Sequence, residues 1–279
     1  MAARKPAPRK KTYVSNQAFA MILLAFVVLV AMEFKPKEPA KEADPALAAH
    51  FAGYEASFVL SQPAKEAYLR HNPQRAALRL PPQSTFKIPN ALIALDTGVA
   101  SGPDFVLKWD GRQWPLPGWN RDHTLASAIQ DSVVWYFQEL ARRIGHDPMR
   151  LYLKLMDYGN ADLSGGMDRF WLDSSLAISA EEQVRFLDQL ARGKLAVGAK
   201  AMEQVRGMLE LARNDKAVLF GKTGTLSKNG QDTLGWFVGW LERRDKLYVF
   251  ATNLAAAQGA SGARARQITE EILREKGLW

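Results

Sequence analysis

Gln83-Ser84-Thr85-Phe86-Lys87 sets a hydroxyl and an amine three residues apart, behind the proline pair Pro81-Pro82 and ahead of an apolar helical pattern. On a helix that separation is one turn, so the Lys87 side chain can approach the Ser84 hydroxyl. A serine is a poor nucleophile until a base removes its proton, and a helix N-terminus offers free N–H groups that can stabilise an oxyanion. S-x-x-K alone is a weak signal, since about one arises by chance in a chain of this size. Further along, Phe220-Gly221-Lys222-Thr223-Gly224 closes an expected strand. It would place a cation, a hydroxyl and accessible backbone on a sheet edge, a combination that can hold a substrate carboxylate. The Thr225 N–H is a candidate second oxyanion donor. This is not a phosphate loop, because G-x-x-x-x-G-K-[ST] is absent.

Two further motifs are weaker alone: Ser132-Val133-Val134, at the junction of two helical segments, and Tyr158-Gly159-Asn160. Metal chemistry finds no support. The four histidines (His50, His71, His123, His146) show no ligand spacing, and there is no cysteine, which also excludes disulfides and a thiol nucleophile. His123 is read as structural, with a triad role as the lesser alternative.

Taken in order, S-x-x-K, S-x-V, Y-G-N and K-T-G resemble the class D serine β-lactamases, the oxacillinase group of the penicillin-recognising serine enzymes. The resemblance extends through STFKIPNALIALDTGV (84–99), Trp109-Asp110-Gly111, Trp119-Asn120-Arg121-Asp122-His123, FWLD (170–173), Ile178-Ser179-Ala180 and GWFVGW (235–240), and it covers essentially 51–273. It implies hydrolysis of the β-lactam amide through a serine acyl-enzyme, with β-lactams as substrates and antibiotic resistance as the outcome. By that resemblance Ser84 is the acylated nucleophile. Lys87 is a carboxylated lysine (N6-carboxylysine) acting as general base, and carbon dioxide or bicarbonate is the only cofactor-like requirement. Forming the carbamate needs a neutral amine, hence an apolar pocket that depresses the lysine pKa. Trp171 resembles the tryptophan that hydrogen-bonds the carbamate. Ser132, assisted by Lys222, delivers a proton to the departing lactam nitrogen. Thr223 and Arg266 are the implied carboxylate binders, and the N–H groups of Ser84 and Thr225 the oxyanion hole. Gly224, Tyr158 and Asn160 are the remaining implied substrate-site residues, and Val134 and Leu172 the apolar residues that crowd the carbamate.

The elements that must position these residues follow from periodicity. Phe51–Leu60 and Ala67–His71 read as early strands; Phe86–Leu95 and Leu125–Ile144 have helical spacing. Ile178–Leu190 reads as a helix opened by a capping box, Ser179 with Glu182. Lys216–Thr223, Leu234–Leu241 and Leu247–Asn253 read as strands, and Arg264–Lys276 as a closing helix. The pattern predicts an α/β protein of α+β type: a central antiparallel sheet built from both chain ends, flanked by helices, with a helical lobe inserted. Of eight tryptophans, most are expected in the core.

At 279 residues, 47% hydrophobic and 24% charged, the chain suits a sizeable globular domain and excludes a disordered or polytopic membrane protein. Most of the net charge of +8 resides in the tail. Without Arg4, Lys5, Arg9, Lys10 and Lys11 the 37 basic residues fall to 32, against 29 acidic ones, so the body is near balance and carries no nucleic-acid signal. Behind this basic tail, AFAMILLAFVVLVAM (18–32) is apolar enough for a single-pass helix, with the following domain exported by the positive-inside rule. The alternatives are an uncleaved inner-membrane anchor and a removed signal peptide leaving a periplasmic enzyme; Leu29 makes a poor cleavage site and favours the anchor. The organisation expected is therefore 1–34 as basic region and anchor or signal, 35–45 as a tether, and 46–279 as the catalytic domain. A homodimer is left open. Thr225 and the loop Leu226–Thr233 depart from residues found in some relatives and leave the substrate spectrum, carbapenems included, undetermined. The competing functions are a membrane-tethered β-lactam sensor that acylates without turnover and a penicillin-binding transpeptidase. A short basic tail argues against the sensor, because it supplies no signalling apparatus.

Overall fold

The structure is a computed structural model, and it describes residues 44–172 and 175–279. Expectations about the basic tail, the apolar run and most of the tether, and about Asp173, fall outside these residues. Among the described residues no helix is long and apolar enough to cross a membrane.

The chain opens with a short helix α1 (Pro45–Ala48), N-capped by the Asp44 side chain, and then β1 (Glu55–Gln62), β2 (Ala67–His71) and α2 (Pro73–Ala76). The segment bearing Ser84 follows as a 3-10 turn (Gln83–Phe86) that runs into α3 (Lys87–Asp96). A two-residue ladder, β3 (Val106–Leu107) with β4 (His123–Thr124), precedes α4 (Leu125–Gln130), α5 (Val134–Ile144), α6 (His146–Leu155), α7 (Ala180–Ala191) and α8 (Ala199–Met208). β5 (Glu210–Arg213), β6 (Val218–Lys228), β7 (Gln231–Arg243), β8 (Lys246–Ala255) and α9 (Gly262–Glu275) complete it.

The main sheet is antiparallel in the order β2-β1-β8-β7-β6-β5. Strands from the two chain ends meet at β1 and β8, where Val59 faces Ala251, and the helices α3 to α8 are inserted between β2 and β5. The β6–β7 hairpin turns at Asn229-Gly230, both at positive φ (52° and 77°), as a two-residue turn of matching twist requires. Both faces of the sheet are covered. Along β7, Trp236, Val238 and Trp240 join the core beneath the helical lobe, whereas Phe237 and Leu241 join the core under α9, with Ile268, Ile272 and Leu273. Period-two alternation with both faces buried explains why the strand reads as a continuous apolar run. Helix α3 is buried from Lys87 to Ala94, so the turn before it is held inside the molecule.

The expected elements are present with altered limits. β1 begins at Glu55 rather than Phe51, because Phe51 closes a 3-10 turn and Gly53 then takes φ 85°. The stretch Leu125–Ile144 is two helices, broken at 131–133. Of the eight tryptophans, Trp171, Trp236 and Trp240 are fully buried, and Trp119, Trp135 and Trp279 are partly buried and pack against the core.

Candidate active site

The proline pair cannot continue a helix, and the chain turns through Gln83, at φ 53°, before Ser84. Ser84 thus sits on a 3-10 turn ahead of α3 rather than on the α-helix itself. Lys87 is 0% exposed, and its Nζ donates to Ser84 Oγ at 2.7 Å. Burial, and then the charge of Lys222, hold the Lys87 amine well below the usual lysine range. Among the described residues no carboxylate forms an ion pair with it. This environment lowers the cost of the neutral amine relative to the ammonium next to the serine hydroxyl.

Ser132 occupies the break between α4 and α5 at φ 57°, a backbone region that residues other than glycine adopt at a penalty. Held there, its Oγ accepts from Lys222 Nζ at 3.0 Å. The same Nζ donates to Thr223 O at 3.1 Å, and burial pulls the Lys222 pKa down to about 8.

Lys222, Thr223 and Gly224 lie in the middle of β6, not at the end of a strand as expected. They still form an open edge, because β5 pairs with β6 only as far as Phe220. The Gly221 N–H donates across that edge to Leu209 O at 2.9 Å. Backbone direction alternates along a strand, so the N–H groups of Thr223 and Thr225 point the same way. Gly224 is fitted against the nucleophile turn: a Cβ there would lie 3.0 Å from Gln83 Cβ and 3.1 Å from both Pro82 O and Ser84 N. On the other side Gly262, at the start of α9, has the same close fit, and its N–H donates to Thr225 Oγ1 at 2.9 Å. Arg266, one turn into α9, lines a cavity of about 100 Å³ with Lys222, Thr223, Ile129 and Met208. Its Nε donates to Glu270 at 2.7 Å.

Trp171 is 0% exposed and stacks on Phe86 with ring centroids 5.1 Å apart, one residue before Lys87. Its carbonyl accepts the Gln83 N–H at 3.0 Å, and the Gln83 side chain donates to Leu172 O. The Trp171 Nε1 is buried without a partner among the described residues. A buried donor in that condition is destabilising, and it belongs to a ring stacked on Phe86, the residue before Lys87. Val134, half buried, opens α5 outside the packed core, and Leu172 packs against that core.

Tyr158 and Asn160 are placed differently from the expectation of substrate contact. Tyr158 is 1% exposed, edge-on to Phe86 and Phe186. Asn160 accepts the Ala177 N–H at 3.0 Å and donates to Ser175 O at 2.8 Å. Between them Gly159 takes φ 58°, and a Cβ there would lie 2.2 Å from Ala177 O. The motif clamps the chain just beyond Trp171. His123 is structural, between Ser127 Oγ (3.0 Å) and Gly118 O (2.9 Å), and no cluster of metal-ligating side chains occurs among the described residues. Gln83, with its positive φ, and Thr85 were not singled out by spacing; the pre-nucleophile proline pair was the only signal pointing there.

Residues 31–274 match the family described as the penicillin binding protein transpeptidase domain. The chain is 43% identical over 229 residues to the probable β-lactamase YbxI of Bacillus subtilis, covering 82% of this chain and 83% of that one. It is 39% identical over 232 residues to the methicillin resistance mecR1 protein of Staphylococcus aureus, but spans only 40% of that longer protein. A solved class D β-lactamase from Bacillus subtilis superposes with a TM-score of 0.79 at 41% identity, over 83% of this chain and 95% of the other.

Proposed function

The chain belongs to the penicillin-binding transpeptidase family and, within it, to the class D β-lactamases, and from this premise we propose how its residues open and release a β-lactam. It is a serine hydrolase of the β-lactam amide. The observation that carries the mechanism is the pair of buried lysines on two serines, Lys87 on Ser84 at 2.7 Å and Lys222 on Ser132 at 3.0 Å.

Thr223 and Arg266, beside Lys222, receive the carboxylate of the substrate. The Lys87 side chain removes the Ser84 proton as Oγ attacks the lactam carbonyl. The N–H groups of Ser84 and Thr225 stabilise the resulting oxyanion. The C–N bond then breaks; Ser132 Oγ–H gives its proton to the nitrogen and is reprotonated from Lys222. Lys222, with a pKa of about 8, is protonated at neutral pH and can supply it. Water next attacks the ester, and Ser84 recovers its proton.

Lys87 carries, in this reading, a carbamate formed with carbon dioxide. The fit rests on two features: a buried amine whose pKa is held well below the usual lysine range, which favours the neutral form that carboxylation needs, and the Trp171 Nε1, unpartnered among the described residues, which can donate to the product. The carbamate supplies a carboxylate-type base for activating the hydrolytic water. Val134 and Leu172 are assigned to restricting water around it.

A second reading, a β-lactam sensor, draws on the likeness to the mecR1 protein. Steady-state turnover of a chromogenic cephalosporin separates the two: sustained turnover is expected, and one equivalent of product followed by a stall would replace the hydrolase by the sensor. The basic tail and apolar run support a tether to the inner membrane with the catalytic domain in the periplasm. Fractionation with the inner membrane and an intact N-terminus are expected; a soluble form starting beyond Met32 would contradict it.

A further inference from the structure

Gln183 is fully buried on α7, facing the underside of the nucleophile turn, and the chemistry above does not use it. Its Nε2 donates to Thr85 Oγ1 at 3.0 Å and to the Tyr158 hydroxyl at 3.4 Å. Thr85 Oγ1 in turn donates to Pro82 O at 2.7 Å, the carbonyl that also accepts the Thr85 N–H at 3.2 Å. The turn bearing Ser84 is therefore closed on its cleft side by Gly224 and gripped from behind by this relay. Through Tyr158 the same carboxamide reaches the segment whose Asn160 pins Ser175 and Ala177, just beyond Trp171.

The other end of the carboxamide is a burden. Gln183 Oε1 is buried with no partner among the described residues. Leaving a buried acceptor unpaired is destabilising and offsets part of what the two Nε2 bonds contribute. A buried carboxamide bonded both to the Ser84 turn and to the segment that clamps the chain beyond Trp171 points to a role in geometry.

We infer that Gln183 is a positioning residue for acyl transfer, holding the Ser84 turn in register with the Trp171 segment through Thr85 and Tyr158. The inference rests on the serine hydrolase reading. Small displacements of a reacting group are felt strongly in rate.

The test is Gln183→Leu, with Thr85→Val, Thr85→Ser and the double variant Gln183→Leu/Thr85→Val, measured as acylation rate constant, kcat and KM per folded molecule. Gln183→Leu is expected to lower the acylation rate constant and kcat about tenfold with KM moving far less, because orientation and not binding is disturbed. Thr85→Val should fall similarly, Thr85→Ser should recover most of that loss, and the double variant should lose little beyond the larger single loss. Wild-type rate constants in Gln183→Leu, or fully multiplicative losses in the double variant, would overturn the inference. Should Gln183→Leu not fold, equal rates for Thr85→Val and Thr85→Ser would overturn it. A wild-type protein that acylates once and stalls defeats the hydrolase reading instead, and its acylation rate constant still reports on Gln183.

Discussion

Lys222 Nζ lies 3.0 Å from Ser132 Oγ, across 90 residues of chain, and the serine reaches it by taking φ 57° at the break between α4 and α5. The proposed proton relay rests on backbone strain at one residue and burial of one lysine together.

Replacing that serine separates the two roles. Ser132→Gly should raise the melting temperature by the equivalent of about 1 kcal/mol, since glycine tolerates this φ, while kcat/KM falls about 100-fold or more for want of the proton relay. Thermal melts and steady-state kinetics check both. A lower melting temperature would remove the strain argument.

The pH dependence follows from the lysines. Ser132 needs a protonated Lys222, so kcat/KM should decline on the alkaline side as pH passes about 8, and Lys222→Arg should displace that limb upward. Stability has the opposite sign. Unfolded Lys222 holds its proton to the ordinary lysine value of 10.5, whereas the folded form releases it near 8, so the unfolded state binds more protons in between and stability rises with pH across that window. Urea midpoints from pH 7 to 10 for wild type and Lys222→Met, about neutral to alkaline, test this linkage.

Gly224→Ala places a methyl against Ser84 N, Pro82 O and Gln83 Cβ. Displacement of the nucleophile turn should reduce kcat/KM about 100-fold at a stability loss of about 1–3 kcal/mol. Kinetics alongside circular dichroism decide whether rate falls more than folding.

Asn160→Ala removes the bonds to Ser175 and Ala177. A stability loss of about 1–3 kcal/mol is expected, with slowed deacylation and little change in substrate KM. A KM effect with unaltered stability would return Asn160 to the substrate site.

Local chemistry was legible in the chain and long-range geometry was not. Ser84 and Lys87 were readable because three residues are one turn. The α7 capping box was readable because Ser179 and Glu182 satisfy each other's backbone locally. The alternation in β6 to β8 marked strands, but their lengths depended on pairing partners, so the K-T-G segment fell mid-strand. Spacing alone could not show that Ser132 strains to meet Lys222, nor that Tyr158 turns into an aromatic cluster. Gln183 is buried on α7 with Glu182, Val184, Phe186 and Leu187, and nothing in the spacing marked its network.

The base is the central claim, and carbon-13 bicarbonate tests it most directly. Labelled wild-type protein should show a carbamate carbonyl resonance that fades at low pH together with activity and returns with added bicarbonate. Trp171→Ala should lose the resonance and accumulate a penicillin adduct on Ser84 by mass spectrometry, because the buried Nε1 donor is gone. Full activity in wild type with no such resonance, indifference to bicarbonate and no adduct in Trp171→Ala would contradict it.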